Sequence, residues 1–200
     1  MAKIKTRDLI LEIALELLNQ RGDSQLTSVD IAHEMNISPG NLYYHFKGKE
    51  EIVIELYAQF HARAALAVEE ILGASSGDAR EVLMRVSLVS DIFQQFRFIG
   101  HDLYGLADRY PEIKTQLARL LRKLHAALKG ISTQLLNESR VQRADVAADI
   151  LANNILFTLL NLKAYDSLLG RDDEYESSIE EHIFMQLMPF IERSESQSKA

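Results

Sequence analysis

The sequence predicts an all-α protein, and three observations predict it. Apolar residues recur at three- and four-residue intervals in almost every segment. No stretch alternates apolar and polar residues as a half-buried strand would. Helix-starting and helix-stopping residues fall where the periodicity begins and breaks. Of the 200 residues 47% are hydrophobic, enough to bury a sizeable core. The pattern divides into three short N-terminal helices, a long connecting helix and a larger helical bundle.

The first helix carries Leu9, Ile10, Ile13, Ala14, Leu17 and Leu18 on one face and stops near Gly22, a residue suited to a helix end. Asp8, Glu12 and Glu16 interrupt its apolar run, so it reads as an amphipathic helix and not as a signal peptide. Thr27 precedes the second helix, with Asp30 three residues on in a near capping box. Asn36 stands where a sharp turn needs a left-handed residue. Ser38 caps the third helix and Pro39 suits its first turn. After Gly48 a long helix runs from about 49 to 72, and "GASSGD" at 73–78 is the clearest loop.

Further helices are predicted near 79–97, 98–108, 111–137, 143–169 and 175–192. The stretch "GRDDEYESS" links the last two, its acidic run 172–181 reads as a solvated connection, and the tail "SESQSKA" is expected to fray. No apolar run approaches the roughly 18 residues that span a bilayer, which predicts a chain without a membrane partner. Absence of cysteine excludes a disulfide framework and thiolate metal sites, and fits a reducing cytoplasm.

Function is concentrated in "SPGNLYYHFKGKEE", Ser38–Glu51. Helix 27–35, a turn at Asn36 and Ile37, and helix 38–45 have helix-turn-helix spacing, with small Ala32 where the two helices cross. In such a unit the second helix enters the major groove of DNA. Seven or eight residues at 1.5 Å each span about 11 Å, comparable to a groove roughly 12 Å wide. Asn41 can pair with a base edge, and Pro39 and Gly40 permit close backbone approach. Tyr43, His45 and Lys49 can hold phosphate oxygens. Leu42, Tyr44 and Phe46 are expected to pack inward.

The net charge of −7 argues against a polyanionic partner, yet residues 1–50 hold six Lys/Arg against seven Asp/Glu, so most of the excess lies beyond them. A few placed cations suffice for phosphate contact, because charges farther away than about 10 Å are screened.

Residues 5–52, above all "LTSVDIAHEMNISPGNLYYHFKGKEEI", resemble the DNA-binding domain of TetR-family transcriptional regulators. "LYYHF" followed by K-x-K-E is a specific signature of that family. The resemblance implies phosphate contact by Thr27, Tyr43, His45 and Lys49. It implies base reading by Ser38, Pro39, Gly40 and Asn41, joined by Ser28 from the preceding helix. Two features depart from the pattern: Asn36 stands where glycine is commoner, and the recognition helix has no Lys or Arg. Lys3, Lys5 and Arg7 are candidates for the missing charge.

The implied architecture is an N-terminal three-helix helix-turn-helix domain (1–50) and a C-terminal helical ligand-binding and dimerisation domain (51–200). The implied partners are an inverted-repeat operator in double-stranded DNA, a small apolar or amphipathic effector, and a second copy of the chain. The expected role is a cytoplasmic, ligand-responsive repressor; the alternative is a helical protein–protein module without specific DNA binding. Candidate effector residues are Phe93, Phe96, Arg97, His101 and Tyr104, with Asn154 and Thr158. Asn154, Thr158 and Asn161 share one helix face, where a seam or core network is the expected use of their polar groups. Ile155, Leu159, Leu162, Ile179, Ile183, Phe184, Leu187 and Met188 are the apolar residues predicted for a dimer seam. The six histidines lack metal-ligand spacing, and no phosphate loop or cysteine nucleophile is present. An enzyme, a cofactor and a metal site are therefore not expected.

Overall fold

The computed structural model describes residues 6–73, 79–138, 141–170 and 179–198. Among these are ten helices and no strand. They are α1 (Thr6–Arg21), α2 (Ser28–Glu34), α3 (Pro39–His45), α4 (Lys49–Leu72) and α5 (Ala79–Gln95). Then come α6 (Arg97–His101), α7 (Leu103–Arg109), α8 (Pro111–Glu138), α9 (Ala144–Leu168) and α10 (Ile179–Ser198). Lys3, Lys5, most of the 73–78 loop and the acidic residues 172–178 lie outside the described residues.

The chain forms two compact units. One comprises residues 1–62 and 96–117, the other 63–95 and 118–200; α4 and α8 each run from one into the other. In the first unit the core is Ile10, Leu11, Ala14, Leu17 and Leu18 of α1, Ile31 and Ala32 of α2, and Leu42 and Phe46 around α3. Ile52, Val53, Leu56, Tyr57 and Phe60 of α4 join Phe96, Phe98, Ile99 and Leu106 in the same unit. The Phe60 and Phe96 rings meet edge to face at 5.8 Å, an arrangement that adds to their area burial.

Local chemistry sets the helix ends. Gly22 (φ 75°) closes α1. The Thr27–Asp30 capping box opens α2, and Asn36 (φ 54°) takes the left-handed turn. The Ser38 hydroxyl accepts from the Asn41 amide to open α3. The expected α1 face is shifted by part of a turn: Leu11 is buried while Leu9 is exposed. The segment expected as one helix at 98–108 is two, because Asp102 adopts a non-helical backbone (φ −133°, ψ 45°). Its carboxylate there lies over Gly105, where a Cβ would clash with it. Helix α10 extends through Ser198, into the tail sequence.

The second unit buries Val86, Val89, Ile92 and Phe93 of α5, Leu120, Leu124 and Leu128 of α8, and one face each of α9 and α10. Here the predicted seam needs correction. Ile155, Leu159, Ile179, Ile183 and Leu187 face the unit's own core, and Leu162 and Met188 are half-buried. Only Phe184 of that set is exposed. The exposed apolar stripe of α9 is instead Ile150, Phe157, Tyr165 and Leu168, with Met185 beside Phe184 on α10. Because α9 is apolar almost all round, periodicity alone cannot choose its inward face.

Asn154 and Asn161 lie on that exposed side, which rules out a network within the unit's own core for both and leaves the seam expected for them. Thr158 accepts from Gln186 Nε2 at 2.8 Å, a bond between α9 and α10. Ala144–Leu162 of α9 is long and apolar enough on average to cross a membrane, as the core helix of a bundle also can be. The average tolerates Asp145 and Asp149, which interrupt the run; Asp149 pairs with Lys129 of α8 at 2.8 Å, as suits a bundle helix.

Candidate nucleic-acid interface

Helices α2 and α3 form a tight pair around Ala32, which is fully buried and whose carbonyl accepts from the Ile37 amide across the turn at 3.0 Å. Leu42 is the buried residue of α3. Ser38, Pro39, Gly40, Asn41 and Tyr43 are exposed and His45 is half-buried, so the structure presents the expected reading residues on one short helix. No acidic residue occupies the first turn of α3. The Ser38 hydroxyl accepts from the Asn41 amide at 3.2 Å and still has a proton to donate.

Several of the expected residues stand differently from expectation. Tyr44, expected in the core, is 84% exposed. Its ring meets His45 edge-on at 5.0 Å, which adds a second tyrosine to the surface of α3. Thr27 is engaged by its own cap. Its hydroxyl donates to Asp30 Oδ2 at 2.5 Å and accepts from the Asp30 amide at 3.2 Å. Its amide donates to Asp30 Oδ2 at 2.9 Å. A phosphate at the Thr27 hydroxyl must therefore displace Asp30, whose carboxyl these bonds hold below the usual carboxylate range. Ser28 is half-buried at the first position of α2.

Arg7 is not free to supply the missing charge. Its guanidinium pairs through both terminal nitrogens with Glu55 and stacks 4.6 Å from the centre of the Phe46 ring. The Glu55 hydrogen bonds raise its already high pKa. Arg7 thus fastens α1 to α4 over the residue that ends α3.

Lys49 is held as well. Its ammonium donates to the Asp23 carbonyl at 2.6 Å and lies 3.0 Å from Asp23 Oδ1, with 16% of its side chain exposed. The Asp23 side chain is completely buried. Arg109 Nε donates to its other oxygen at 2.8 Å, and the Tyr110 hydroxyl lies 3.2 and 3.3 Å from the two. Burial first, and then the Asp23 charge, push the Tyr110 phenol up. Arg109 Nη2 also holds Asp102 Oδ2 at 2.5 Å, the bond that chiefly raises its pKa. Nothing in the local sequence marks Asp23: its partners come from 26 and 86 residues away.

The candidate effector residues are not gathered in this way. Phe93 and Phe96 are buried in core packing. Arg97 Nε donates to the Asn19 carbonyl at 3.2 Å, His101 is exposed, and Tyr104 is 83% exposed. A groove of about 350 Å³ in the second unit is lined by Met84, Ser87, Glu180, Glu181 and Phe184. None of the seven expected residues lines it. The described residues hold no cluster of three or more metal-ligating side chains.

Comparison with known proteins agrees with this geometry. Residues 10–56 match the family model of bacterial regulatory proteins of the tetR family, and residues 50–198 match that of a bacterial transcriptional repressor, TetR. The transcriptional regulator UidR of Escherichia coli K12 is 27% identical over 145 residues, 72% of this chain and 71% of that protein. BetI of Brucella anthropi is 22% identical over 195 residues, covering 94% and 96%. A TetR-family regulator from Marinobacter aquaeolei superposes with a TM-score of 0.77 at 23% identity, covering 98% of both chains. The ketosteroid regulator KstR2 of Mycobacterium tuberculosis gives 0.65 at 17% identity, covering 96% and 95%. With its reading helix exposed on a capped three-helix head and both family models matched along its length, this chain is a member of the TetR family of bacterial transcriptional regulators.

Proposed function

We propose that the protein is a homodimeric, cytoplasmic repressor that places α3 of each subunit in successive major grooves of an inverted-repeat operator. The observation that carries this reading is the exposed run Ser38–Asn41 with Tyr43 and Tyr44, on a helix fixed from behind by Leu42 and Phe46. Two such helices in one dimer read half-sites about 34–36 Å apart or a multiple of that. Asn41 pairs with a base edge, Ser38 and Ser28 donate to bases or phosphates, and Tyr43, Tyr44 and His45 grip the backbone. Lys49 offers its third N–H to a phosphate while keeping Asp23. Residues 1–50 form the DNA-binding domain and 51–200 the effector and dimerisation domain.

The exposed stripe of α9 with Phe184 and Met185 supports pairing with a second copy, since apolar area of this kind is ordinarily covered. The 350 Å³ groove is of a size for a small apolar or amphipathic effector. A twentyfold loss of operator affinity on effector binding requires about 1.8 kcal/mol of coupling. Selection of bound duplexes from a random library tests the reading. Recovery of an inverted repeat with half-sites one helical turn or a multiple apart is expected. Sequence-blind binding with and without cell extract would overturn it.

A further inference from the structure

Lys49 is the first residue of α4 and follows His45, the last residue of α3, by four positions. An ammonium on four rotatable bonds is a poor fixed contact unless something aims it. Here two of its three donors are committed to one residue, to the Asp23 carbonyl at 2.6 Å and to Asp23 Oδ1 at 3.0 Å. A buried carboxylate persists only when paired and hydrogen-bonded. Asp23 achieves this through two residues at the end of α7, Arg109 at 2.8 Å and Tyr110 at 3.2 Å. Arg109 is oriented in turn by Asp102, whose carboxylate rests over Gly105. At the start of the same segment, Asn19 Oδ1 accepts from the Phe98 amide at 3.0 Å, and the Asn19 carbonyl takes Arg97. The end of α1 and the turn after it are thereby fastened at both ends of residues 97–110.

We propose that Asp23 is a positioning residue for DNA binding: it aims Lys49 at a phosphate, and Arg109 and Tyr110 hold Asp23 in place, so the end of α7 sets the phosphate grip of the reading head. The inference rests on the DNA-binding reading above. It deepens that reading by naming a route of control that enters through α7 and the end of α1. A shift of Arg109 and Tyr110 away from Asp23 unseats Lys49 without moving α3. The cluster carries two anions, Asp23 and Asp102, and two cations, Lys49 and Arg109. Loss of Arg109 therefore leaves Lys49 alone against a buried carboxylate.

Asp23→Asn separates this from simple charge counting. Removing an anion near DNA should tighten binding if charge alone matters, whereas loss of aim should weaken it. With a selected duplex, or a mixed-sequence duplex of the same length, affinity is titrated over a series of salt concentrations. Far-UV circular dichroism and the thermal midpoint are followed in parallel. The expected result for D23N is weaker binding and a salt slope shallower by about 0.9, the value of one phosphate contact. In the Lys49→Ala background, D23N should change the slope no further. Arg109→Met should move the slope in the same direction and Arg109→Lys should restore part of it.

Equal or tighter binding by D23N, or a lowered midpoint with an unchanged slope, overturns the proposal and leaves Asp23 a structural residue. An unchanged slope in K49A overturns it too. Should D23N lose its helical signal, Tyr110→Phe keeps every charge and removes one hydrogen bond, and the same slope decides. Failure of the unaltered protein to bind any duplex would overturn the DNA-binding reading itself, a result distinct from all of these.

Discussion

Gly40 shows how a single residue separates fold from function. A Cβ built there meets only the Ser38 hydroxyl, at 3.9 Å, so the fold has room for a side chain. Gly40→Ala should leave the thermal midpoint unchanged or raise stability by up to about 1 kcal/mol, through lower backbone entropy in the unfolded chain. In the reading proposed here it should also weaken operator binding, because the backbone can no longer approach the groove as closely. Equal affinity of the variant would remove Gly40 from the interface. Asn41→Ala should relax preference at one base pair by about 1–3 kcal/mol, measured by repeating the selection with the variant. Most of this surface was legible from the sequence, since Ser38, Pro39, Gly40 and Asn41 sit where cap chemistry puts them. Tyr44 was not, because tyrosine suits a core and a surface equally and the preceding Leu42 had already marked the inward face. Arg7 misled for another reason: its partner Glu55 is 48 residues away.

Individual helices were predicted wherever their ends carry local chemistry. Gly22, Thr27 with Asp30, Asn36 and Ser38 each fix a terminus by a bond or dihedral within a few residues. The α6–α7 break was hidden, because the Arg109 bond that Asp102 makes in that non-helical backbone comes from seven residues on and leaves no cap residue in the sequence. The α2 cap offers a direct test. Thr27→Ala should cost about 1 kcal/mol of stability, read from chemical denaturation. The Asp30 carboxyl has a folded pKa below its ordinary 3.8, owing to the Thr27 hydrogen bonds. Its contribution is therefore complete above that ordinary value and is lost as pH falls through the lower folded one. Asp30→Asn should flatten this part of the acid limb of a midpoint-versus-pH curve. An identical limb in the variant would show that other carboxylates govern it.

The two units differ in how far the sequence revealed them. The first carries local motifs, and its helix-turn-helix segment was read closely, whereas residues 97–110 and the Asp23 cluster were not. The second was read as helices, but its inward and outward faces were not, since α9 is apolar on both. Packing against α5 and α10 decides what periodicity could not. Phe157, 69% exposed, lies near the middle of the exposed stripe. If the protein pairs through this stripe as proposed, Phe157→Glu should give monomer in sedimentation equilibrium where the unaltered protein gives dimer, while far-UV circular dichroism stays helical. A dimer that survives this change would place the seam elsewhere. The stripe also bears on how the protein responds to its own abundance. When subunits pair through it before they engage an inverted repeat, dimer scales with the square of total protein below the dissociation constant. Halving the number of copies per cell then cuts the operator-competent species about fourfold by mass action. A modest dilution at cell division is thereby amplified into a larger change in repression.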